Sequence, residues 1–183
     1  VIQGMILNGD GIKAADYLGR FSRLMQLVLE NSRERAVSLK DELTAVSHYC
    51  NLQSVRYSPG FTFKIQVSPE ISQDAVLNPP MLIKPYVENA IEHGFRNQEK
   101  AGYLDIHVFF NEKKLICEIK DDGIGIDKAE QSLTMRENKK SLSTQISRER
   151  IELLGKDFKS DAGIDIYDRS KSNEQGTLVR LTI

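Results

Sequence analysis

Asp121-Asp122-Gly123-Ile124-Gly125-Ile126 closes an apolar run, Leu115-Ile116-Cys117-Glu118-Ile119, and lies downstream of Glu88-Asn89-Ala90-Ile91-Glu92-His93-Gly94. The run reads as a strand that stops abruptly at an Asp-Asp-Gly turn. Its glycines let the backbone bend sharply and come close to a neighbouring group. Taken alone, these residues also fit an ordinary turn, and Glu88-Asn89 alone fits a solvated helix face. Their order, with Gly176-Thr177 opening the last strand pattern, carries the information.

Outward from that stretch the patterns alternate between helix and strand. Tyr17, Leu18, Phe21, Leu24, Met25 and Val28 recur at helical spacing and predict a helix over 13–32. Ser38, with Asp41 behind it, reads as an N-cap, and Leu39, Leu43, Val46 and Cys50 carry a second helix to about Tyr57. The short link predicts an antiparallel helical hairpin. Two helices cannot enclose a core, so the hairpin pairs with a second copy in a four-helix bundle or packs on the rest of the chain. Ser58-Pro59-Gly60 reads as a turn and as the boundary between units 1–58 and 59–183.

Beyond the turn, Phe61, Phe63, Ile65 and Val67 alternate as in a half-buried strand. Asn78-Pro79-Pro80 predicts the start of a helix bearing Leu82, Ile83, Tyr86, Val87, Ala90 and Ile91, ending near Gly94. Strands are expected over 103–110 and 114–120, joined at Asn111-Glu112-Lys113, and again over 163–168 and 177–183. Between them lie a polar segment over 127–140 and a helical pattern over 142–154. The whole predicts an α+β chain with one layer of helices on one sheet.

Composition narrows the function classes. The 183 residues, 40% hydrophobic and 28% charged, suffice for one domain with a helical appendage. A net charge of −1 gives no global attraction to nucleic acid. Cys50 and Cys117 form no CxxC pair and read as buried thiols in a reducing compartment. His48, His93 and His107 lack a Cys/His cluster, which argues against zinc. No apolar run is long enough to span a bilayer, and no signal peptide is visible. The chain opens at Val1 rather than Met and is expected to be part of a longer protein.

Three motifs carry chemistry. Glu88 shares a helix face with Glu92, and Asn89 with His93. An Asn amide oxygen suits Mg²⁺, which takes hard oxygen donors and keeps phosphate oxygens and waters in its shell; His93 could donate to phosphate. A helix face ending in a dipole-compensating His remains open. Asp121, at a strand end beside glycines, could accept from the exocyclic amine of adenine, an interaction that orients a base in an apolar slot. Gly123-Ile124-Gly125 lacks the third glycine of a dinucleotide fingerprint, and the absence of GxxxxGK[ST] excludes a P-loop. Lys128, Arg136, Lys139 and Lys140 could make the polar segment a cationic lid; a solvated loop fits them as well.

These motifs resemble the N, G1 and G2 boxes of the sensor histidine kinases, in the superfamily shared with gyrase and the large heat-shock chaperones. Pro80-Met81-Leu82-Ile83-Lys84-Pro85-Tyr86-Val87-Glu88-Asn89-Ala90-Ile91-Glu92-His93-Gly94 is especially similar to the bacterial LytS-like branch, with its Pro-rich lead-in, Val-Glu-Asn-Ala core and closing His-Gly. Ile146 to Leu154 resembles the helix after the lid. Ala15 to Ser32 and Ser38 to Tyr57 resemble the two helices before the ATP domain.

The resemblance implies a two-layer α/β sandwich of the histidine kinase ATPase type, preceded by an antiparallel helical hairpin. Residues 1–58 would belong to the dimerisation and phosphotransfer region and 59–183 would form the ATP-binding catalytic domain. Asn89 would bind Mg²⁺, Glu88 would position or polarise the attacking group near the γ-phosphate, and His93 would contact phosphate. Asp121 would hold the adenine amine. Gly123 and Gly125 would shape the pocket edge and lid hinge, and Gly176 and Thr177 would close the pocket floor. ATP and Mg²⁺ are the expected cofactors. A homodimer and the receiver domain of a response regulator are the expected partners, on the cytoplasmic side of a bacterial inner membrane that anchors the full-length protein. No nucleic acid partner is expected.

Two features depart from the family. A glycine-rich motif common after the lid is replaced by Ser141-Leu142-Ser143-Thr144. No Asn-Pro-His-Phe-like acceptor segment is present; Val1-Ile2-Gln3-Gly4 resembles the sequence just beyond one, so the acceptor His is expected upstream of Val1. His48, on the second helix, is in the wrong context. Two other functions compete with the kinase reading. One is an ATP-hydrolysing clamp of the same superfamily; the other is a dimerisation or scaffold module without kinase activity.

Overall fold

The computed structural model describes residues 1–57, 59–95, 98–125, 162–172 and 174–183. Ser58 of the expected boundary turn, Ile126, the polar segment 127–140, Ser141 to Thr144 and the helix expected over 142–154 lie outside the described residues.

The chain opens with a short helix α1 (Ile2–Leu7), followed by the long helix α2 (Gly11–Arg33). Helix α2 buries Ala14, Leu24, Leu27 and Asn31, with Tyr17 and Val28 packed against the core, whereas Leu18, Phe21 and Met25 of the expected stripe are exposed. A two-residue strand β1 (Val37–Ser38) leads into helix α3 (Leu39–Ser54). Ser38 caps α3 reciprocally: its Oγ accepts from the Asp41 amide at 3.1 Å and donates to Asp41 Oδ2 at 2.7 Å. Helices α2 and α3 pack on each other as the hairpin. Helix α3 also contacts the rest of the chain, where Leu39, Leu43, Val46 and Cys50 enter the common core.

Strand β2 (Phe61–Val67) is followed by β3 (Leu77–Asn78), which pairs antiparallel with β1. Then come helix α4 (Lys84–Asn89), a π-turn over Ala90–Gly94, and the hairpin of β4 (Gly102–Asn111) and β5 (Lys114–Asp121). Strands β6 (Gly163–Asp168) and β7 (Thr177–Thr182) complete a five-stranded sheet of order β2-β4-β5-β7-β6. All neighbours are antiparallel except β2 and β4, whose parallel pairing follows from the crossover that carries β3 and α4. This is the α+β sandwich expected, with the hairpin ahead of it.

Strand pleating decides which side chains meet the helices. Leu104, Ile106 and Val108 are fully buried, as are Cys117, Ile119 and Leu181 beside them. They face Leu82, Ile83, Tyr86, Val87 and Ile91, each burial of this kind contributing about 2 kcal/mol. The other sheet face carries Tyr103, His107, Glu118 and Arg180, the last two joined by a 2.7 Å ion pair. Both thiols are free and buried; burial pushes Cys50 up to about 12 and Cys117 higher still.

The helix expected from Pro80 begins only at Lys84, with Pro85 in its first turn. Pro79 and Pro80 supply no backbone N–H, and Met81 sits at φ 60. The amides of Met81 and Ile83 turn to Glu42 of α3 instead of starting a helical ladder.

Candidate functional site

Asp121 owes its position to the pleat. On β5, Leu115, Cys117, Ile119 and Asp121 point the same way, into the helix layer, and Asp121 is the polar end of that apolar row. It lies opposite Leu104 and is 4% exposed. Its neighbour Asp122 points elsewhere: its Oδ1 accepts from the Tyr103 amide at 2.6 Å and its carbonyl accepts from Gln98 Nε2 at 3.0 Å. Of the two carboxylates, only Asp121 therefore faces the helices.

All three sequence motifs converge on Asp121. Its Oδ1 accepts from the Gly123 amide at 2.8 Å and from the Thr177 amide at 3.2 Å. The Ile124 amide donates to the Gly94 carbonyl at 3.0 Å, tying the glycine turn to the end of the Asn89 helix. A Cβ on Gly123 would stand 2.5 Å from Gly94 Cα, so this contact needs a residue without a side chain. Gly176, at φ +103, is tighter still, because a Cβ there would stand 1.9 Å from the Asp121 carbonyl oxygen. Gly125 also has positive φ, +81, and lies against the Asp168 carboxylate.

Burial pushes the Asp121 carboxyl up to about 6, against the opposing pull of the Gly123 and Thr177 amides and of the Arg169 guanidinium. Arg169 Nη1 donates to the carbonyls of Asp121 at 2.6 Å and Gln175 at 2.7 Å, while Nε donates to Glu174 at 3.0 Å. It thereby ties the end of β5 to the turn before β7. Sequence reading missed Arg169, which sits in a polar link with no motif around it.

The other candidate residues lie along α4 and the π-turn. Glu88, Asn89 and His93 are half-buried and Glu92 is exposed. The Phe95 amide reaches back to the Ala90 carbonyl at 3.1 Å, so the helix widens into a π-turn, a distortion frequent at functional sites. Asn89 precedes Gly94 by about 7 Å along the helix axis. Lys84 forms an ion pair with Glu88 one turn on, and its Nζ lies 4.7 Å from the Tyr49 ring centre. Burial raises the Tyr49 hydroxyl, and the charges of Glu88 and Glu92 add to it.

His93 and Glu92 line a groove with Arg56 and Tyr57 at the end of α3. A second groove, lined by Lys40, Thr44, His48 and Gln73 among others, shares no residue with the site. Among the described residues no three His, Cys, Asp or Glu side chains group to hold a metal. A neutral amide oxygen such as that of Asn89 fits Mg²⁺ that draws its remaining oxygens from phosphate and water. Among the described residues no helix is long and apolar enough to cross a membrane.

Residues 80–183 match the model of the histidine kinase-, DNA gyrase B-, and HSP90-like ATPases, and residues 1–61 match the histidine kinase model. The chain belongs to this ATPase family, on its sensor histidine kinase side. It is 32% identical over 117 residues to the sensor protein LytS of Staphylococcus epidermidis, which covers 64% of this chain and 20% of that protein. It is 34% identical over 122 residues to the sensor histidine kinase/phosphatase LytS of Staphylococcus aureus, covering 66% and 20%. The chain thus spans about a fifth of the length of the curated relatives it matches. The fold matches the blue-light activated histidine kinase of Erythrobacter litoralis EL346 at TM-score 0.57 and 20% identity, over 96% of this chain and 50% of that one.

Proposed function

We propose that this chain is the catalytic part of a two-component sensor histidine kinase. In this reading it binds Mg²⁺-ATP between Asp121 and Asn89 and directs the γ-phosphoryl group to a histidine. The observation that carries the proposal is the convergence of Gly94, Gly123 and Thr177 on one buried carboxylate, beside the end of a helix whose polar residues suit phosphate and Mg²⁺. Asp121 accepts from the adenine amine, while Gly123 and Gly125 form the pocket edge. Gly176 and Thr177 close its floor. Asn89 supplies the metal ligand and His93 a phosphate contact. Glu88, held by Lys84, positions or polarises the attacking group. Bound Mg²⁺ neutralises phosphate charge, the main requirement of phosphoryl transfer.

The acceptor is none of the three histidines in the chain. His48 is half-buried on α3, His107 stacks on Phe109 at 4.9 Å on the outer sheet face, and His93 belongs to the nucleotide site. The phosphohistidine passes its group to an aspartate on the receiver domain of a response regulator. The chain works at the cytoplasmic face of a bacterial membrane, as a homodimer. Support for the dimer comes from α2, where Leu18, Phe21, Met25 and Leu29 form an exposed apolar stripe beside the face packed on the core.

The test is labelling of the intact protein with γ-labelled ATP. An acid-labile, base-stable phosphoprotein that vanishes on Asn89→Ala is expected. Steady hydrolysis without phosphoprotein would favour an ATPase clamp, and failure to bind any adenine nucleotide a scaffold module.

A further inference from the structure

We propose that Glu42 of α3 is a positioning residue for the Asn89 helix, holding the metal-binding end of the site from a distant part of the chain. This inference rests on the nucleotide reading above and adds to it a residue that touches neither nucleotide nor metal.

Glu42 interrupts the apolar face of α3 between Leu39, Leu43 and Val46, and it is 1% exposed. A carboxylate buried that deeply requires hydrogen-bond donors. It finds them in the backbone just before α4: Oε2 accepts from the Met81 amide at 2.8 Å, and Oε1 from the Ile83 amide at 2.9 Å, with the Lys84 amide at 3.5 Å. Ile83 and Lys84 are the N-cap and first residue of α4, whose amides have no partner within the helix. The carboxylate takes the place of a local cap and holds Met81 at φ 60. A second contact lies two turns along α3, where the Tyr49 ring faces Lys84, the partner of Glu88. Helix α3 thus grips the backbone leading into α4 and the side chain of its first residue. Asn89 is the last residue of α4. A six-residue helix has little stability of its own, so its placement depends on these outside contacts.

The substitution is Glu42→Gln, which keeps shape and volume but replaces one acceptor oxygen with a donor facing another donor. Two readouts separate positioning from general stability. The first is calorimetric affinity for ADP with and without Mg²⁺. The variant is expected to lose about tenfold in the presence of Mg²⁺ and to keep the Mg²⁺-free affinity, because the Asp121 end is built by β5 and β7. The second is amide hydrogen exchange, which should speed up at Met81, Ile83 and Lys84. Equal losses with and without Mg²⁺, or unchanged exchange at these amides, would overturn the proposal. Should the variant not fold, exchange in the unsubstituted chain decides: slow exchange at Met81 and Ile83 supports the clamp and solvent-like exchange overturns it. No binding of ADP by the unsubstituted chain while Met81 and Ile83 remain protected would instead fault the nucleotide reading, and with it the positioning role.

Discussion

Replacing Asp121 by Asn separates what the carboxylate does for the ligand from what it costs the fold. An ordinary aspartate titrates at 3.8, whereas Asp121 titrates at about 6 because it is buried. A tenfold change in a protonation equilibrium is about 1.4 kcal/mol, so ionising Asp121 costs the folded chain roughly 3 kcal/mol more than the unfolded one. The folded pKa is raised, so the contribution to stability is whole below about pH 3.8 and is lost as pH rises through about 6. The substituted amide would keep an acceptor oxygen for the Gly123 and Thr177 N–H groups and carry no charge. In urea melts, Asp121→Asn should therefore gain on the unsubstituted chain between about pH 4 and pH 8, by on the order of 3 kcal/mol. Nucleotide binding should move the opposite way. A hydrogen bond to a charged group is worth about 1.5–3 kcal/mol, and the Asn amide would point a donor at the donating amine. Calorimetry at pH 8 should show adenine nucleotide affinity reduced by about 30-fold or more. Stability curves that run parallel across this pH range, or an unchanged affinity, would refute the reasoning.

Three further outcomes follow from the same geometry. Gly176→Ala places a methyl group 1.9 Å from the Asp121 carbonyl oxygen at φ +103; thermal melts should show at least about 2 kcal/mol lost, with nucleotide affinity falling alongside. Arg169→Met removes the donor to the Asp121 and Gln175 carbonyls and a positive charge that lowers the Asp121 pKa. Stability should drop by about 2 kcal/mol, and the pH at which nucleotide affinity is half lost should move upward. Phe21→Asp with Met25→Asp charges the exposed stripe of α2; sedimentation should show the proposed homodimer weakened while nucleotide affinity is kept.

Much of this molecule can be read from local patterns because the deciding physics is local. Apolar residues at period two along β2, the Ser38–Asp41 cap and the helical spacing of Tyr17, Leu24 and Val28 on α2 each act within a few residues, and the structure reproduces them. The onset of α4 is different. The prolines suggested an early start, but Glu42 takes the amides of Met81 and Ile83 across 39 and 41 residues, a partnership no window of sequence contains. Its only trace was a carboxylate on an otherwise apolar helix face. The pairing of β1 with β3 is likewise too short to announce itself. At the candidate site, the motifs singled out Asp121, Gly123, Gly176 and Thr177, and the two glycines lie where backbones approach closely. Arg169 stayed hidden because its role is to bond two backbone carbonyls, which leaves no signature in residue type or spacing.

The central claim is that nucleotide lies between the Asp121 end of β5 and the Asn89 helix. It is tested most directly by titrating a non-hydrolysable ATP analogue with Mg²⁺ into isotope-labelled protein and following amide and side-chain resonances. The account predicts saturable shifts at Gly94, Gly123 and Thr177 and at the Asn89 side-chain amide, the last requiring Mg²⁺. Shifts confined to residues such as Lys40, Thr44 and Gln73 around the separate groove, or no shifts at all, would contradict it.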